Sequence, residues 1–390
     1  MHVRRTTQWE GPTPKLASLD IELTERCQNN CLHCCINLPG NDDAAKSREL
    51  STDDWSRILA EAAGLGCLRV RFTGGEPLLR EDFAALYERA RRLGMRVAIF
   101  TNARLITAEL ADLFARMPPG EPVEVTVYGM SAASCDAATR APGAFAEFRR
   151  GVDLLEQRRV PFVLKGALLP PNRHERAALE SWAATIPWMR GEPPSVSAMF
   201  QLRARRDDDA KNRLIASLRS SPAEMATLAS AERDRLARFC RQFLGPQGTR
   251  LFACGAGNDV CVDAYGRVQP CLAMRAPELT CDWQTTGLRG ALEEFFPSLR
   301  KLEATDPEYL RRCARCFLRG LCEQCPALSW SEHGVLDKPV EYFCAVAHAQ
   351  ARALGLLSDG EQSWDVTDWR ARLKRLENVA PVDTAAVRCY

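Results

Sequence analysis

The stretch that decides the fold comprises residues 16–35, LASLDIELTERCQNNCLHCC. Its apolar first half predicts a strand over residues 16–23, and this strand ends just before three cysteines at Cys27, Cys31 and Cys34. Three thiolates in one short loop suit a cubane [4Fe–4S] cluster whose fourth iron stays open to a non-protein ligand. A zinc knuckle is the alternative, because His33 and Cys35 each offer a fourth ligand.

Strand-like and helix-like segments alternate outward from this stretch. We predict strands at residues 16–23, 68–72, 96–100, 123–128, 161–169 and 195–200, and helices at 53–65, 81–93, 106–117, 145–158 and 175–186. Ser51 and Asp54 form a capping signal for the first helix. Six strand–helix repeats with short connections indicate an α/β fold with a parallel sheet, open or curled into a partial barrel. Ligands bind such a sheet at the carboxyl ends of its strands.

A glycine-rich segment, Thr73-Gly74-Gly75-Glu76-Pro77, follows the second predicted strand. Two glycines let a backbone approach a ligand closely, and the Glu76 carboxylate suits an ammonium group. Taken alone, the segment is more typical of a simple strand-to-helix turn. Beside a cysteine triplet that follows the neighbouring strand, it indicates a shared pocket.

The composition is that of an ordinary globular chain with one unusual count. The 390 residues are 46% hydrophobic and 26% charged with a net charge of +2, which argues against disorder and against a protein that coats nucleic acid or an anionic membrane. No apolar run reaches the ~18 residues of a membrane span, and no signal-peptide core is present, so we expect a cytoplasmic protein. The unusual count is 17 cysteines, which in a reducing compartment more often bind metal than form disulfides.

These motifs resemble the radical SAM superfamily over residues 16–200. Its hallmark is the Cys-x3-Cys-x2-Cys loop with a ring-bearing residue before the third cysteine, here His33. Residues 74–77 match its Gly-Gly-Glu-Pro motif for the amino group of S-adenosylmethionine (SAM). Thr101-Asn102 resembles the family's Thr-Asn-Gly with Ala103 in place of the glycine, and residues 128–131, Tyr-Gly-Met-Ser, occupy the position of Ser-Leu-Asp-Gly.

The resemblance implies that Cys27, Cys31 and Cys34 bind a [4Fe–4S] cluster whose open iron is chelated by SAM. One electron from the cluster then cleaves SAM to methionine and a 5′-deoxyadenosyl radical, which abstracts a substrate hydrogen. A reducing partner such as flavodoxin or ferredoxin is implied as well. The candidate SAM-binding residues are His33, Thr73, Gly74, Gly75, Glu76, Pro77, Asn102, Ser131 and Lys165. For Lys165, a solvated lysine at a strand end is an equal alternative.

A second group of cysteines lies between residues 254 and 344, with the spacing Cys-x6-Cys-x9-Cys, then Cys-x2-Cys-x5-Cys-x2-Cys, then a last cysteine. Taken alone, it also suits two zinc ribbons. After a radical SAM core it resembles the SPASM extension, with Gly266 five residues before Cys271 and two residues, rather than three, between Cys322 and Cys325. The resemblance implies two auxiliary [4Fe–4S] clusters: cluster I on Cys254, Cys261, Cys271 and Cys325, and cluster II on Cys313, Cys316, Cys322 and Cys344.

The pattern divides the chain into five segments. They are an N-terminal extension at residues 1–15, a partial (β/α)6 barrel of the TIM type at 16–206, a helical bridge at 207–250, a small cysteine-rich SPASM domain at 251–345 and a helical tail at 346–390. We expect the SPASM segment to be too irregular to continue the sheet. Asp263 and Glu323 are candidate bases but more typical of solvated carboxylates, and His174, His333 and His348 show no metal-site pattern.

SPASM-bearing members of the family mostly modify peptides or proteins, so the resemblance implies oxidative modification or crosslinking of a ribosomally made peptide. Only 15 residues precede the first strand, too few for a leader-binding domain, so we expect a separate leader-presenting protein or direct binding of the peptide. Leu272 and Ala273 disfavour the sulfatase-maturing group, which has an acidic residue after this cysteine.

Two further alternatives stay open. One is a SPASM dehydrogenase acting on a small alcohol or a cofactor precursor. The other is a non-catalytic electron-transfer or zinc scaffold, against which the intact cysteine triplet and Glu76 argue. We expect neither a nucleic-acid nor a membrane partner, because the net charge is close to zero.

Metal analysis of the anaerobically purified protein tests the three-cluster prediction. We expect about twelve irons per chain, four for each cubane. A content of about eight irons per chain would mean that one auxiliary cluster is absent. Zinc without iron would exclude radical SAM chemistry.

Overall fold

The computed structural model describes residues 16–231, 233, 236, 237, 240 and 245–375, so the predicted extension at 1–15 and the end of the predicted tail lie outside the described residues. The chain divides into two compact units. Unit 1 comprises residues 16–198 with Gly255–Leu272 and Pro277–Pro297, and unit 2 comprises Met199–Cys254, Ala273–Ala276 and residues 298–375. Among the helices of this described part, none is long and apolar enough to cross a membrane.

Unit 1 is built on a nine-stranded sheet with the order β11-β10-β9-β1-β4-β5-β6-β7-β8. The strands of the described residues are β1 (Ser18–Thr24), β2 (Arg26–Cys27), β3 (Leu38–Pro39), β4 (Arg69–Gly74), β5 (Arg96–Thr101), β6 (Val123–Val127), β7 (Phe162–Ala167), β8 (Ser195–Ser197), β9 (Asp259–Val262), β10 (Arg267–Gln269) and β11 (Cys281–Asp282). The short strands β2 and β3 pair with each other outside the large sheet.

Helices alternate with the parallel strands as the sequence predicts. The helices of the described residues are α1 (Asp43–Lys46), α2 (Thr52–Gly64), α3 (Phe83–Arg92), α4 (Ala108–Arg116), α5 (Ala132–Thr139), α6 (Ala144–Gln157), α7 (Arg176–Thr185), α8 (Asp209–Leu218), α9 (Pro222–Ala231), α10 (Trp283–Gly290), α11 (Pro326–His333), α12 (Glu341–Ala353) and α13 (Trp369–Lys374). Ser51 caps α2 in the predicted capping box with Asp54. Helix α5 is an addition that the sequence pattern did not predict.

The order of the parallel strands explains why the sheet curls. Strands β1, β4, β5, β6, β7 and β8 lie side by side in chain order, all parallel. Each crossover therefore moves one strand in the same direction, and right-handed crossovers place the helices on one face. This arrangement is that of a partial barrel rather than a doubly wound sheet, in which the strand order reverses. The carboxyl ends of the strands share one edge, where the predicted motifs come together.

The expectation that the cysteine-rich segment is too irregular to continue the sheet is wrong. Strand β9 pairs in parallel with β1, and β10 and β11 add antiparallel strands beyond it. Asp259 accepts a hydrogen bond from Ser18 at 2.9 Å, which fixes the register of β9 against β1. The short strands escaped prediction because stretches of three or four residues carry too little alternation. The two units accordingly divide the predicted segment 251–345 between them.

The core of unit 1 is aromatic between the sheet and helices α3 and α4. The rings of Phe72 and Phe83 lie 5.8 Å apart, and those of Tyr87 and Phe114 lie 5.1 Å apart in an edge-to-face arrangement. All four side chains are almost completely buried. Such rings contribute large buried apolar area together with favourable pair geometry, so they hold the helices firmly against the strands.

Unit 2 contains the predicted helical bridge and most of the C-terminal segment. Helix α9 packs against α12. One apolar cluster contains Phe317, Leu321, Ala351 and Leu357 with Trp369 of α13 at its border. A second cluster contains Leu328, Val340 and Phe343. The described part of the bridge is therefore packed within unit 2 and is not a free linker.

Two helical glycines give a matched test of packing beside the turn after β5. A Cβ on Gly151 of α6 would overlap the carbonyl oxygen of Ala103, whereas a Cβ on Gly64 of α2 would meet no atom within 4 Å. We expect Gly151→Ala to destabilise the protein by about 1–3 kcal/mol through overpacking. We expect Gly64→Ala to stabilise it by about 0.5–1 kcal/mol through helix propensity. Thermal unfolding midpoints measure both, and equal midpoints for the two variants would contradict the packing described.

Candidate active site

The loop that carries Cys27, Cys31 and Cys34 is anchored by backbone hydrogen bonds on two sides. Asn30 N donates to Thr139 O at 2.9 Å and Leu32 N donates to Ala138 O at 3.0 Å, both at the carboxyl end of α5. On the other side, Leu38 N donates to Glu25 O at 2.8 Å, beside the pairing of β2 with β3. Helix α5, which sequence patterning missed, thus positions the cysteine loop.

A buried group of charged side chains fixes the start of the same loop. Glu49 accepts hydrogen bonds from Arg26 Nε at 2.8 Å and Nη2 at 3.1 Å, and Arg80 Nη1 lies 3.4 Å from the same carboxylate. All three side chains are less than a tenth exposed. Buried charges cost free energy unless they are paired. Here Arg26 pairs with the Glu49 carboxylate through two hydrogen bonds, and Arg80 adds a second guanidinium.

The two glycines of the Gly-Gly-Glu segment face the cysteine loop. Gly74 has a φ of +126°, which other residues rarely adopt, and a Cβ on it would overlap Thr24 O. A Cβ on Gly75 would overlap the carbonyl oxygens of Glu25 and Arg26. Gly75 N donates to Thr24 O at 2.7 Å and Glu76 N donates to Arg26 O at 3.0 Å. These glycines are therefore required by contact between two backbones, whatever ligand they also approach.

The Glu76 side chain is buried at the centre of the motifs. Its carboxylate accepts hydrogen bonds from Leu78 N at 3.1 Å, Thr101 Oγ1 at 2.8 Å and Asn102 N at 2.9 Å. Burial raises the pKa of Glu76 to about 7, since desolvation outweighs these three bonds. A carboxylate has about four acceptor positions, so capacity for one more donor, such as an ammonium group, remains.

Asn102 connects Glu76 to the first cysteine. Its backbone N donates to Glu76, and its side-chain Nδ2 lies 3.8 Å from Cys27 Sγ. Its Oδ1 accepts from Gln28 Nε2 at 3.1 Å and from Arg104 N at 3.0 Å. The Thr-Asn motif after β5 thus contacts both of the other motifs, and every partner is a residue of this carboxyl edge.

Ala103 takes the left-handed backbone conformation that the family's glycine would adopt without strain. Its φ is 62°, and Ala103 N donates to Thr101 Oγ1 at 2.9 Å. An alanine in this region costs about 1–2 kcal/mol relative to ordinary helical backbone. The hydrogen bonds of the turn keep it in place. Alanine instead of glycine at position 103 therefore adds backbone strain but does not change the shape of the turn.

The three thiols of the loop form a donor set that fits a [4Fe–4S] cluster. Cys27 and Cys31 are buried and Cys34 is half-buried. Burial raises the pKa of Cys27, and the nearby Glu76, Cys31 and Cys34 raise it further. Asn29 N donates to Cys27 Sγ at 3.4 Å, a type of hydrogen bond that tunes cluster sulfurs. Such thiols become thiolates when a metal centre displaces their protons.

The described residues form no comparable site for a single metal ion. In the described parts of the chain, no three side chains of His, Cys, Asp or Glu are grouped as they would be around one metal ion.

The ring of Tyr128 lies next to the ring of His33, which belongs to the cysteine loop. Their ring centroids lie 5.9 Å apart. Burial raises the pKa of Tyr128 well above its usual value, and the three loop cysteines add to the rise. Tyr128 therefore remains a neutral phenol next to the thiols. The sequence placed it in a motif that departs from the family pattern.

Ser131 is the N-cap of α5, and its hydroxyl donates to Glu175 Oε1 at 2.8 Å. Glu175 also accepts from Ser134 Oγ at 2.6 Å and Met130 N at 2.8 Å. Burial acts to raise the pKa of Glu175, but these hydrogen bonds outweigh it and lower the pKa below its usual value. Glu175 is a residue of this edge that the sequence did not single out, because it lies at the start of a later helix.

Lys165 lies in the middle of β7, where it forms an ion pair with Glu124 of β6. Its ammonium also lies 4.2 Å from the centre of the Phe100 ring. The structure thus gives Lys165 two partners within the sheet. Its predicted contact with SAM stays a prediction, as does that of Ser131.

Unit 2 brings together the four cysteines assigned to auxiliary cluster II. Cys313, Cys316, Cys322 and Cys344 line one cavity, together with Arg312, His348 and Trp364. Burial raises the pKa of each of the four thiols. Neighbouring thiols raise the pKa of Cys313 further, whereas Arg312 opposes the rise at Cys344. Four clustered thiols around a cavity fit the ligand set of a cubane.

The cavity has polar neighbours that sequence reasoning missed. Arg312 Nη2 lies 3.1 Å from Cys344 Sγ, and Ser363 Oγ lies 2.9 Å from Cys316 Sγ. His348 was set aside for lack of a metal-site pattern, yet its Nδ1 lies 3.6 Å from Cys344 Sγ. The signal available was its position four residues after Cys344 on one helix, which places both on one face.

The cysteines assigned to auxiliary cluster I belong to different units. Cys261 lies on β9, is fully buried and is opposite Gln269 of β10, and Cys271 follows that strand. Cys254 and Cys325 belong to unit 2. Their common ligation stays a prediction that the family resemblance implies.

The two predicted bases differ in setting. Asp263 is buried and its Oδ1 accepts from Tyr265 N at 3.0 Å and Arg267 N at 2.9 Å, so it shapes the β9–β10 turn. It is thus not the solvated carboxylate expected. Glu323 keeps an exposed surface, yet desolvation raises its pKa to about 7, so it does not behave as a fully solvated carboxylate either.

Comparison with known proteins agrees with this geometry. Residues 21–182 match the model of the Radical SAM superfamily. PqqA peptide cyclase of Rhodopseudomonas palustris is 40% identical over 89 residues, which are 23% of this chain and 23% of that protein. AdoMet-dependent heme synthase of Methanosarcina barkeri is 29% identical over 154 residues, 40% of this chain and 43% of that protein. The chain thus spans less than half the length of these curated relatives.

Solved structures share the fold over most of the chain. A structure of anSMEcpe with bound AdoMet has a TM-score of 0.61 at 14% identity and covers 94% of this chain and 96% of its own. Streptococcus suis SuiB bound to precursor peptide SuiA has a TM-score of 0.59 at 13% identity and covers 83% of this chain and 74% of its own. The predicted fold class, α/β with a partial barrel of parallel strands and a cysteine-rich C-terminal part, is confirmed. The residues that match the Radical SAM superfamily, 21–182, contain the cysteine loop, Glu76 and Asn102.

Proposed function

We propose that this protein is a radical SAM enzyme that abstracts a hydrogen from a peptide and modifies it oxidatively. The observation that carries the proposal is the hydrogen-bonded connection from Cys27 through Asn102 to Glu76. It joins the predicted cluster loop to the predicted SAM site at one edge of the sheet. The carboxyl edge is where sheets of this kind bind ligands.

In this proposal Cys27, Cys31 and Cys34 hold the first cluster, and Glu76 receives the SAM ammonium at its remaining acceptor position. When bound, the cluster and SAM supply the 5′-deoxyadenosyl radical that removes the hydrogen. Asn102 orients Glu76 and donates toward Cys27, which fixes the distance between the two sites. The cysteine loop is held rigidly by α5 and β4, so the protein contributes orientation and exclusion of water.

A peptide substrate is supported by what the similar proteins are named for. Relatives include PqqA peptide cyclases, and the similar structures include anSMEcpe with a bound peptide and SuiB with precursor peptide SuiA. Four clustered thiols in unit 2 support a further cluster that could accept an electron from the oxidised peptide. The AdoMet-dependent heme synthase among the relatives favours a second candidate, the oxidation of a cofactor precursor.

Incubation with a short peptide encoded beside this protein's gene, and separately with a porphyrin as a cofactor precursor, tests the two candidates. Under anaerobic conditions with SAM and dithionite, we expect 5′-deoxyadenosine to form faster with the peptide than without it. We expect the peptide to lose about two hydrogens by mass, the change that a two-electron oxidation produces. Deoxyadenosine formation that responds to a cofactor precursor and not to the peptide would contradict the peptide assignment.

The control for this experiment uses the cysteines themselves. The triple variant Cys27→Ala/Cys31→Ala/Cys34→Ala is expected to cleave no SAM. Cys35→Ala, which removes the thiol next to the triplet, is expected to retain cleavage. Cleavage by the triple variant would refute the cluster assignment.

Replacing Glu76 by glutamine tests its role in SAM binding. Each oxygen of Glu76 accepts at least one hydrogen bond, so either orientation of the amide brings its NH2 group against a donor. The amide also lacks the negative charge that pairs with the SAM ammonium, an interaction worth about 1.5–3 kcal/mol, so we expect the Kd for SAM to rise at least tenfold. Equilibrium dialysis with cluster-loaded protein measures this change. Glu81→Gln, at an exposed glutamate, is the matched control, and equal affinities would contradict the role.

A further inference from the structure

We infer that Arg312 raises the reduction potential of auxiliary cluster II through its hydrogen bond to Cys344. This inference rests on the proposed function, because it takes Cys313, Cys316, Cys322 and Cys344 as ligands of a [4Fe–4S] cluster. Arg312 acts through a ligand and is therefore a positioning residue. No motif of the sequence singled it out.

The contact between Arg312 and Cys344 is well defined. Nη2 of Arg312 lies 3.1 Å from the sulfur, and the side chain of Arg312 is only 12% exposed. The guanidinium lies 4.9 Å from the centre of the Trp364 ring, which keeps it at the wall of the cavity. A cation that is held in place and partly shielded from water interacts more strongly with a nearby charge than a solvated one does.

Glu341 holds Arg312 from the other side. Its carboxylate accepts from Nη1 at 2.7 Å and from Nη2 at 2.9 Å, and its side chain is 72% exposed. The exposed carboxylate orients the guanidinium and is itself screened by solvent. The net field at Cys344 is thus that of a cation weakened by an outer anion, so the two residues have opposite effects on the cluster.

Neutral donors complete the surroundings of the ligands. His348 Nδ1 lies 2.8 Å from Cys344 O, and a carbonyl only accepts, so Nδ1 carries the proton. His348 Nε2 then accepts from Ser363 N at 3.3 Å. Ser363 is fully buried, and its hydroxyl lies 2.9 Å from Cys316 Sγ. These contacts fix the ligands. Arg319 also lines the cavity, but the contact described between a cation and a ligand sulfur is that of Arg312 with Cys344.

The direction of the effect follows from electrostatics. One-electron reduction of a cubane adds one negative charge to the cluster and its thiolates. A hydrogen-bonding cation at a thiolate stabilises the reduced form more than the oxidised form, which raises the potential. Removing Arg312 lowers the potential, and removing the charge of Glu341 raises it.

Redox titration of the cluster-loaded enzyme with EPR detection tests the inference. The variants are Arg312→Gln, which keeps a donor without the charge, and Glu341→Gln. Arg289→Gln is the matched control, because Arg289 is exposed and its ion pair with Glu293 lies in unit 1. We expect Arg312→Gln to lower the equilibrium constant for reduction of cluster II about tenfold. For one electron, this lowers the midpoint potential by about 59 mV. We expect Glu341→Gln to shift the midpoint upward and Arg289→Gln to leave it unchanged.

Opposite shifts separate an electrostatic role from a structural one. If Arg312 only stabilised the fold, breaking its pair with Glu341 from either side would move the midpoint in the same direction, and that result would overturn the inference. An unchanged midpoint in Arg312→Gln with full iron content would overturn it too. If Arg312→Gln loses the cluster, the sign of the Glu341→Gln shift decides.

The test also separates this inference from the proposed function. A wild-type protein that lacks the cluster II signal would refute the ligand assignment itself. If the wild-type protein shows the signal but Arg312→Gln does not change the midpoint potential, only the inference is refuted. Deoxyadenosine formation in each variant reports whether the first cluster, with its ligands in unit 1, has stayed intact.

Discussion

The site depends on one contact between two pieces of backbone. Gly74 and Gly75 lie against the carbonyl oxygens of residues 24–26, at a distance that leaves no space for a Cβ. Two hydrogen bonds, from Gly75 N and Glu76 N, close the contact. Since Cys27 follows at once on one side and Glu76 on the other, this contact sets the distance between a cluster ligand and the carboxylate. Substitution of either glycine would shift one motif relative to the other.

The contact also explains why Glu76 is buried. A carboxylate brought this close to the cysteine loop is removed from water, and desolvation raises its pKa to about 7. Thr101 and Asn102 donate to it from the next strand, so the edge of β5 compensates part of that cost. The ammonium of SAM would add a charge-assisted hydrogen bond at the remaining acceptor position. The site is thus organised before a ligand binds but gains stability when one does.

Much of this arrangement could be predicted from the sequence. Strand and helix periodicity gave the parallel core, and the motifs after β1, β4 and β5 had to meet because parallel strands end at one edge. Helix α5 was missed, because the run from Ala132 to Thr139 is small and polar and shows little amphipathic pattern. Strands β9 to β11 were too short to show alternation. Arg312 and Ser363 were invisible for another reason: they act through contacts between segments distant in sequence, and single-sequence periodicity carries no information on those.

The two cysteine sites differ in the charge next to their ligands. Glu76 raises the pKa of Cys27, so a negative group lies beside the loop cysteines, whereas Arg312 opposes the rise at Cys344. On the proposed assignment, the Glu76 carboxylate beside the first cluster is matched by the SAM ammonium when SAM binds, so its task is to hold SAM. A cation beside cluster II favours its reduced form and makes it a better acceptor. On this proposal the charged side chains beside the two sites have different tasks: Glu76 serves SAM binding, whereas Arg312, whose Nη2 lies 3.1 Å from Cys344 Sγ, serves electron acceptance at cluster II.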